Sequence, residues 1–202
     1  MVRPPNFLRC IYPNAIWNLP SDSKVVYLTF DDGPTPEVTE DVLQILENYQ
    51  AKATFFCIGK NIEQHPELFK LVQTKAHHIG SHSYSHLNGW KSNAADFLND
   101  YHKGRELAQS NLFRPPYGRL LLKPLQTIQK QDKVIMWDIL SKDYNESLTP
   151  ETVLNNILRN IKPGAIIVFH DSEKAKKNVL AVLPQLLQNL KQQGYAMEAI
   201  PY

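Results

Sequence analysis

Asp31 and Asp32 stand side by side at the end of an apolar run, Lys24–Phe30, and lead directly into Gly33-Pro34. The run is made of β-formers and reads as a buried strand. Alone, Asp-Asp-Gly-Pro is ordinary turn chemistry. Carboxylates that do chemistry need partners, and four later segments supply them. His82 and His86 lie in Ser81-His82-Ser83-Tyr84-Ser85-His86, and Arg114 opens Arg114-Pro115-Pro116-Tyr117-Gly118. Asp143 follows Trp137-Asp138, and His170-Asp171 closes the apolar run Ala165–Phe169. Two imidazoles, one carboxylate and an open position make up a catalytic zinc site. The two histidines are four residues apart, so they share a face if that segment is helical. Ser83 rather than Glu follows the first of them, which excludes the metalloprotease helix motif. His65, His77, His78 and His102 have no such companions and read as residues of helix faces and strand flanks.

The elements that must position these groups alternate. Strands are expected at 24–30, 53–58, 78–80, 112–113, 133–137, 165–169 and 195–200. Helices are expected from Val38 to Tyr49, from Pro66, over 96–110, over 122–131, from Thr149-Pro150 and over 178–190. Gly104 weakens the third of these helices, whereas Thr149 and Pro150 make a strong start for the fifth. Six or seven strand–helix units predict an α/β fold with a parallel sheet. Short strands and their number favour a barrel-like closure over an open doubly wound sheet. In such barrels the C-terminal strand ends share one face, so Asp, His and Arg at successive strand ends build one site. Residues 1–23, rich in proline and aromatics, read as an irregular arm, and residues 24–202 as a single domain.

Composition narrows the function. The chain has 202 residues, 43% hydrophobic content and a net charge of +2, with no Lys/Arg-rich run to suggest nucleic acid as a ligand. No Gly-x-Gly-x-x-Gly or phosphate loop occurs. Cys10 and Cys57 give neither a disulfide framework nor a Cys-x-x-Cys pair. No segment approaches the roughly 18 apolar residues of a membrane span. Residues 1–19 have no apolar stretch of about 7–15 residues and no small-residue cleavage site. The default expectation is therefore cytoplasmic, with the cell envelope open if a leader has been removed.

Taken together, Thr29-Phe30-Asp31-Asp32-Gly33-Pro34, His82-Ser83-Tyr84-Ser85-His86, Arg114-Pro115-Pro116-Tyr117-Gly118, Trp137-Asp138 with Asp143-Tyr144, and Ile167-Val168-Phe169-His170-Asp171 resemble the five ordered motifs of the polysaccharide deacetylases. These are the carbohydrate esterases that share the NodB-homology domain. The resemblance implies a distorted (β/α) barrel and a metal-dependent hydrolase that removes acetyl groups from N-acetylglucosamine-type residues of peptidoglycan or a chitin-like oligosaccharide. It implies Asp32, His82 and His86 as ligands of a divalent metal, most simply zinc, with cobalt or another divalent ion as alternatives. It further implies Asp31 as general base, Arg114 as its orienting partner, His170 as general acid and the Tyr117 N–H as oxyanion donor. Asp143 would support Arg114 or His170, while Pro116, Trp137 and Tyr144 would face the sugar. An O-acetyl esterase on xylan-type glycans and a non-catalytic carbohydrate-binding relative are the alternatives. Leu140 stands where a second aspartate is common, Tyr144 where tryptophan is, and Ala76 where glycine is. These departures bear on substrate rather than on the metal or proton-transfer groups.

Overall fold

Val25–Asp31 forms β1, buried at every position and central to the sheet. The computed structural model describes residues 2–201. Before β1 comes a short helix, α1 (Asn6–Ile11). After it the chain runs through α2 (Val38–Asn48), β2 (Thr54–Cys57), α3 (Gly59–Gln64), α4 (Pro66–Thr74) and β3 (His78–Ser81). Next are α5 (Ala94–Ala108), β4 (Leu112–Phe113), a single 3-10 turn (Pro116–Gly118), α6 (Leu122–Ile128) and β5 (Lys133–Val134). The last third holds β6 (Ile139–Leu140), α7 (Pro150–Leu158), β7 (Ile166–His170), α8 (Lys176–Gln192) and β8 (Ala196–Glu198).

Seven strands pair in the order β5-β4-β3-β2-β1-β7-β6, and every pairing is parallel. β8 adds a parallel pairing to Val25–Tyr27. β5 and β6 end the row without pairing to each other, and the curled sheet is the open, distorted (β/α) barrel that the resemblance implied. Register brings the strand ends level: Asp31 lies opposite Phe56 on one side and His170 on the other.

Alternation along β1 separates two jobs. Val26, Leu28 and Phe30 point into the layer between sheet and helices, packing in one cluster with Val42, Leu46, Val182 and Leu186. Phe30 stacks between Phe55 at 5.0 Å and Phe169 at 5.7 Å. Each such buried side chain contributes roughly 1.5–3 kcal/mol. Val25 and Tyr27 belong to the other face, in a cluster with Phe56, Ile135 and Ile166. Asp31 has the same parity and is carried to the mouth of the barrel interior.

Three expectations need correcting. The arm is not wholly irregular: it contains α1, and its bridges Ile16–Ile135 and Asn18–Ala165 stitch it to the domain. The strand expected over 133–137 ends at Val134, and a further two-residue strand, β6, precedes Asp143. The helix α3 was not foreseen, because its six residues bury only Gly59 and Ile62 and so show no apolar period.

Candidate active site

Asp32 follows β1 in a left-handed conformation (φ 81°), which turns its carboxylate over the end of the sheet. Two contacts fix that turn. Asn61 of α3 donates to the Asp32 carbonyl at 2.7 Å, and the Gly33 N–H donates to Asp171 Oδ1 at 3.0 Å. Asp171 in turn accepts from Thr39 Oγ1 at 2.6 Å. A Cβ on Gly33 would overlap the Asp171 carboxylate, so the turn needs glycine here. Burial, with the charge of Asp32, pushes the Asp171 carboxyl up to about 8.

His82 and His86 sit on a loop, not on a helix. Ser83 (φ 64°) and His86 (φ 61°) both take left-handed backbone, which a continuous helix forbids. Neighbouring helices hold the loop. Gly59 and Lys60 at the start of α3 donate to the Ser83 and Tyr84 carbonyls, each at 2.9 Å. Asp100 of α5 accepts from the Tyr84 and Ser85 amides at 3.0 and 3.1 Å and from Ser85 Oγ at 2.6 Å. Gly104, the residue that weakened α5 in the sequence, lies where a Cβ would strike the Ser83 backbone. Its cost to the helix permits the close approach of the loop.

The three side chains converge. His86 Nε2 is 3.3 Å and His82 Nε2 3.8 Å from Asp32 Oδ1. One ligand atom from each of Asp32, His82 and His86 lies within 4.8 Å of the others, and among the described residues this is the group that could hold a metal ion. His82 Nδ1 is 2.8 Å from the Arg114 carbonyl, which can only accept, so Nδ1 carries the proton and Nε2 offers its lone pair. Burial pushes the His82 imidazole down to about 4 against the pull of Asp31, so its approach to Asp32 is no ion pair at neutral pH. Asp32 Oδ1 is buried and accepts no hydrogen bond. An orphaned carboxylate oxygen facing an imidazole lone pair is a repulsive set that a cation would satisfy.

Asp31 faces the same space from inside the barrel. Arg114 Nη1 donates to Asp31 Oδ1 and to Thr29 Oγ1, both at 2.7 Å. Its Nη2 and Nε reach the Met136 and Ile135 carbonyls at 3.1 and 3.3 Å, and its guanidinium lies 4.1 Å over the Phe56 ring. Arg114 is fully buried, and each of its three guanidinium nitrogens donates to a partner. Burial raises the Asp31 carboxyl, but Arg114, then His82 and His170, outweigh it and hold the group below the usual carboxylate range.

Across the cleft, Asp143 Oδ1 meets His170 Nδ1 at 2.8 Å and Oδ2 accepts the His170 N–H at 2.7 Å. Burial lowers this imidazole, yet Asp143, with smaller help from Asp32 and Asp31, raises it to about 9. Asp143 therefore partners His170 and not Arg114. The surrounding cleft, about 510 Å³, is walled by Tyr117, Trp137, Leu140 and Tyr144. Tyr144 packs edge-on to His170 with centroids 5.0 Å apart, and Tyr117 lies 4.6 Å from His86. Pro116 does not reach the cleft; it is buried in the 3-10 turn that presents Tyr117 at φ 60°. Asp32, His86 and Tyr117, which line this cleft, thus all adopt left-handed backbone, and functional sites are where such strain concentrates.

The polysaccharide deacetylase family model matches residues 18–134. The chain belongs to the polysaccharide deacetylase family. It is 33% identical over 187 residues to a peptidoglycan-N-acetylglucosamine deacetylase of Bacillus cereus, covering 89% of this chain and 87% of the relative. It is 30% identical to the chitooligosaccharide deacetylase of Azorhizobium caulinodans, covering 87% of this chain and 92% of that one. Its fold superposes with a TM-score of 0.89 on the crystal structure of a peptidoglycan N-acetylglucosamine deacetylase in complex with a naphthalenyl N-oxidanyl-benzamide. That pair is 30% identical, over 96% of this chain and 94% of the other. This member of the family is a polysaccharide deacetylase by descent and by fold. No helix among its described residues is long and apolar enough to cross a membrane.

Sequence reasoning brought forward the groups that meet here but missed their supports. Thr29, Asn61, Asp100 and Asp171 all bond to the site or to its loops. Of these Thr29 and Asp171 carried a signal, since they stand in the first and last of the five motifs, whereas Asn61 and Asp100 carried none.

Proposed function

We propose that this polysaccharide deacetylase is a metal-dependent hydrolase that removes acetyl groups from N-acetylglucosamine-type residues of peptidoglycan or a chitin-like oligosaccharide. The observation that carries the proposal is the orphaned, buried Asp32 Oδ1 beside His82 and His86, flanked by an ionised carboxylate on one side and a cationic imidazole on the other. In this reading residues 24–202 form the catalytic domain, braced by residues 1–23.

Asp32, His82 and His86 would hold a divalent ion, zinc by preference for two imidazoles and a carboxylate, with cobalt as an alternative. When bound, such an ion supplies a Lewis acid and a water of lowered pKa. Asp31, kept ionised by Arg114, takes the proton of the attacking water. The Tyr117 N–H stabilises the oxygen that gains charge. His170, kept protonated by Asp143, gives its proton to the nitrogen as the C–N bond breaks, since an amine leaves far more readily than an amide anion. Acetate and a free amino sugar result. Trp137 and Tyr144 offer the sugar apolar faces to stack on.

Acetate release from N-acetylglucosamine oligomers, from peptidoglycan and from acetylated xylan tests this directly. Release from either N-acetylated substrate, lost on chelation and restored by zinc or cobalt, is the expected result. Release from xylan alone would replace the proposal with an O-acetyl esterase.

A further inference from the structure

The rim of the cleft differs in charge from its floor. On the floor, Asp31 is neutralised by Arg114 and Asp32 faces the imidazoles. At the rim the charged side chains are Arg119 and Lys174, both exposed, and no carboxylate lines the cleft besides the two aspartates of the floor. They come from the two arms of the sheet, Arg119 from the turn that follows β4 and Lys174 from the segment that follows β7. Neither is neutralised: among the described residues, neither makes an ion pair. Glu146 lies with Lys174 in an adjoining groove but does not pair with it. Arg119 is nonetheless steadied, its guanidinium 5.2 Å over the Trp90 ring. That stacking leaves the N–H edge of the guanidinium available to an acceptor.

A neutral sugar chain needs only the aromatic walls and hydrogen bonds. Two cations without an ion-pair partner, brought to one binding cleft by segments that follow strands on opposite sides of β1, ask for something more, anionic groups on the chain that the cleft binds. We propose that Arg119 and Lys174 select glycans that carry carboxylates on the sugars flanking the N-acetylated residue, over neutral oligomers of the same length. This rests on the deacetylase reading above and narrows it. Peptidoglycan, with its lactyl ethers and peptide stems, has such carboxylates; chitooligosaccharides have none. Because both cations are exposed, their effect is modest at each site and salt-sensitive, and it adds to steering of the polymer toward the cleft.

The test pairs a carboxylate-bearing peptidoglycan oligomer with the same oligomer after its carboxylates are converted to amides. Binding is measured for both at low and at physiological salt, alongside acetate release. The acidic oligomer should bind roughly three- to tenfold more tightly at low salt, with a smaller difference at higher salt. In Arg119→Gln and Lys174→Gln the ratio should fall, and in the double variant it should approach one. Lys177→Gln, an exposed lysine outside the cleft, should keep the ratio. Equal affinity for the two oligomers in the unaltered protein would overturn the inference, as would a ratio that survives the double substitution. Failure to release acetate from either oligomer would instead overturn the deacetylase reading, while the affinity ratio would still decide the role of the rim.

Discussion

Asp143 grips His170 at two points, its Oδ1 on the ring Nδ1 at 2.8 Å and its Oδ2 on the backbone N–H at 2.7 Å. The carboxylate thereby fixes both the ring's orientation and its charge, and the imidazole is raised to about 9 despite its burial. A group that must donate a proton is then loaded throughout the neutral range. The folded value lies above the ordinary one near 6.5. Stability from this pair is therefore complete below about pH 6.5 and fades as pH rises through about 9.

Asp143→Asn should move the alkaline limb of the kcat profile down from about 9 toward the ordinary histidine value. At pH 8 the loss should be roughly tenfold or more, and smaller at pH 6. A pH–rate profile for the two proteins measures it. An unmoved alkaline limb would show that His170 does not set it.

Arg114 and Asp31 form a buried pair at 2.7 Å, so removing one partner strands the other. Arg114→Met should destabilise the fold by about 3–5 kcal/mol, because Asp31 is left charged inside the barrel. Adding Asp31→Asn to Arg114→Met should recover part of that loss, since no bare charge remains. Denaturant titration of the two single variants and the double reads the coupling. Additive losses would mean the pair is not the source of the cost.

How much of this was legible follows from what each feature rests on. Strand ends such as Asp31 and His170 were readable because β1 and β7 are short apolar runs with polar stops. His82 and His86 were found by type, but their spacing explains a shared face only on a helix, which the left-handed Ser83 and His86 exclude. Backbone of that kind is held by contacts from α3 and α5, outside the motif itself. For the same reason the partner of Asp143 stayed open: the choice depends on β6 and β7 pairing side by side, and a two-residue strand leaves no periodic trace. Tyr144 was assigned to sugar binding alone. Its edge contact with His170 means that its removal should also disturb turnover.

Ala76 offers a test of stability away from the chemistry. It is the C′ residue of α4 in a Schellman arrangement, its N–H on the Gln73 carbonyl at 2.9 Å and the His77 N–H on Val72 at 3.4 Å, with φ 57°. Glycine takes that conformation without the steric cost that alanine bears. Ala76→Gly should therefore stabilise the protein by about 0.5–1 kcal/mol, the left-handed penalty less the extra entropy of the unfolded chain. Thermal unfolding measures it, and a lower melting temperature would contradict the assigned backbone.

The two adjacent aspartates should separate most sharply of all. Asp31 is tied to Arg114 and held ionised below the usual range, whereas Asp32 Oδ1 has no donor and sits among the imidazoles. Asp31→Asn keeps the shape and the Arg114 contact but removes the proton acceptor, so rates should fall by about 10²–10⁴-fold. Its Asp32, His82 and His86 are untouched, and zinc content per chain should stay near that of the unaltered protein. Asp32→Ala deletes a ligand, so this variant should lose both zinc and acetate release. Metal analysis after dialysis, set beside activity, reads both axes at once. A zinc-free Asp31→Asn with a loaded Asp32→Ala would reverse the two roles. Two variants that stay loaded and active would reduce this strand end to the turn that its four residues, Asp31-Asp32-Gly33-Pro34, spell in isolation.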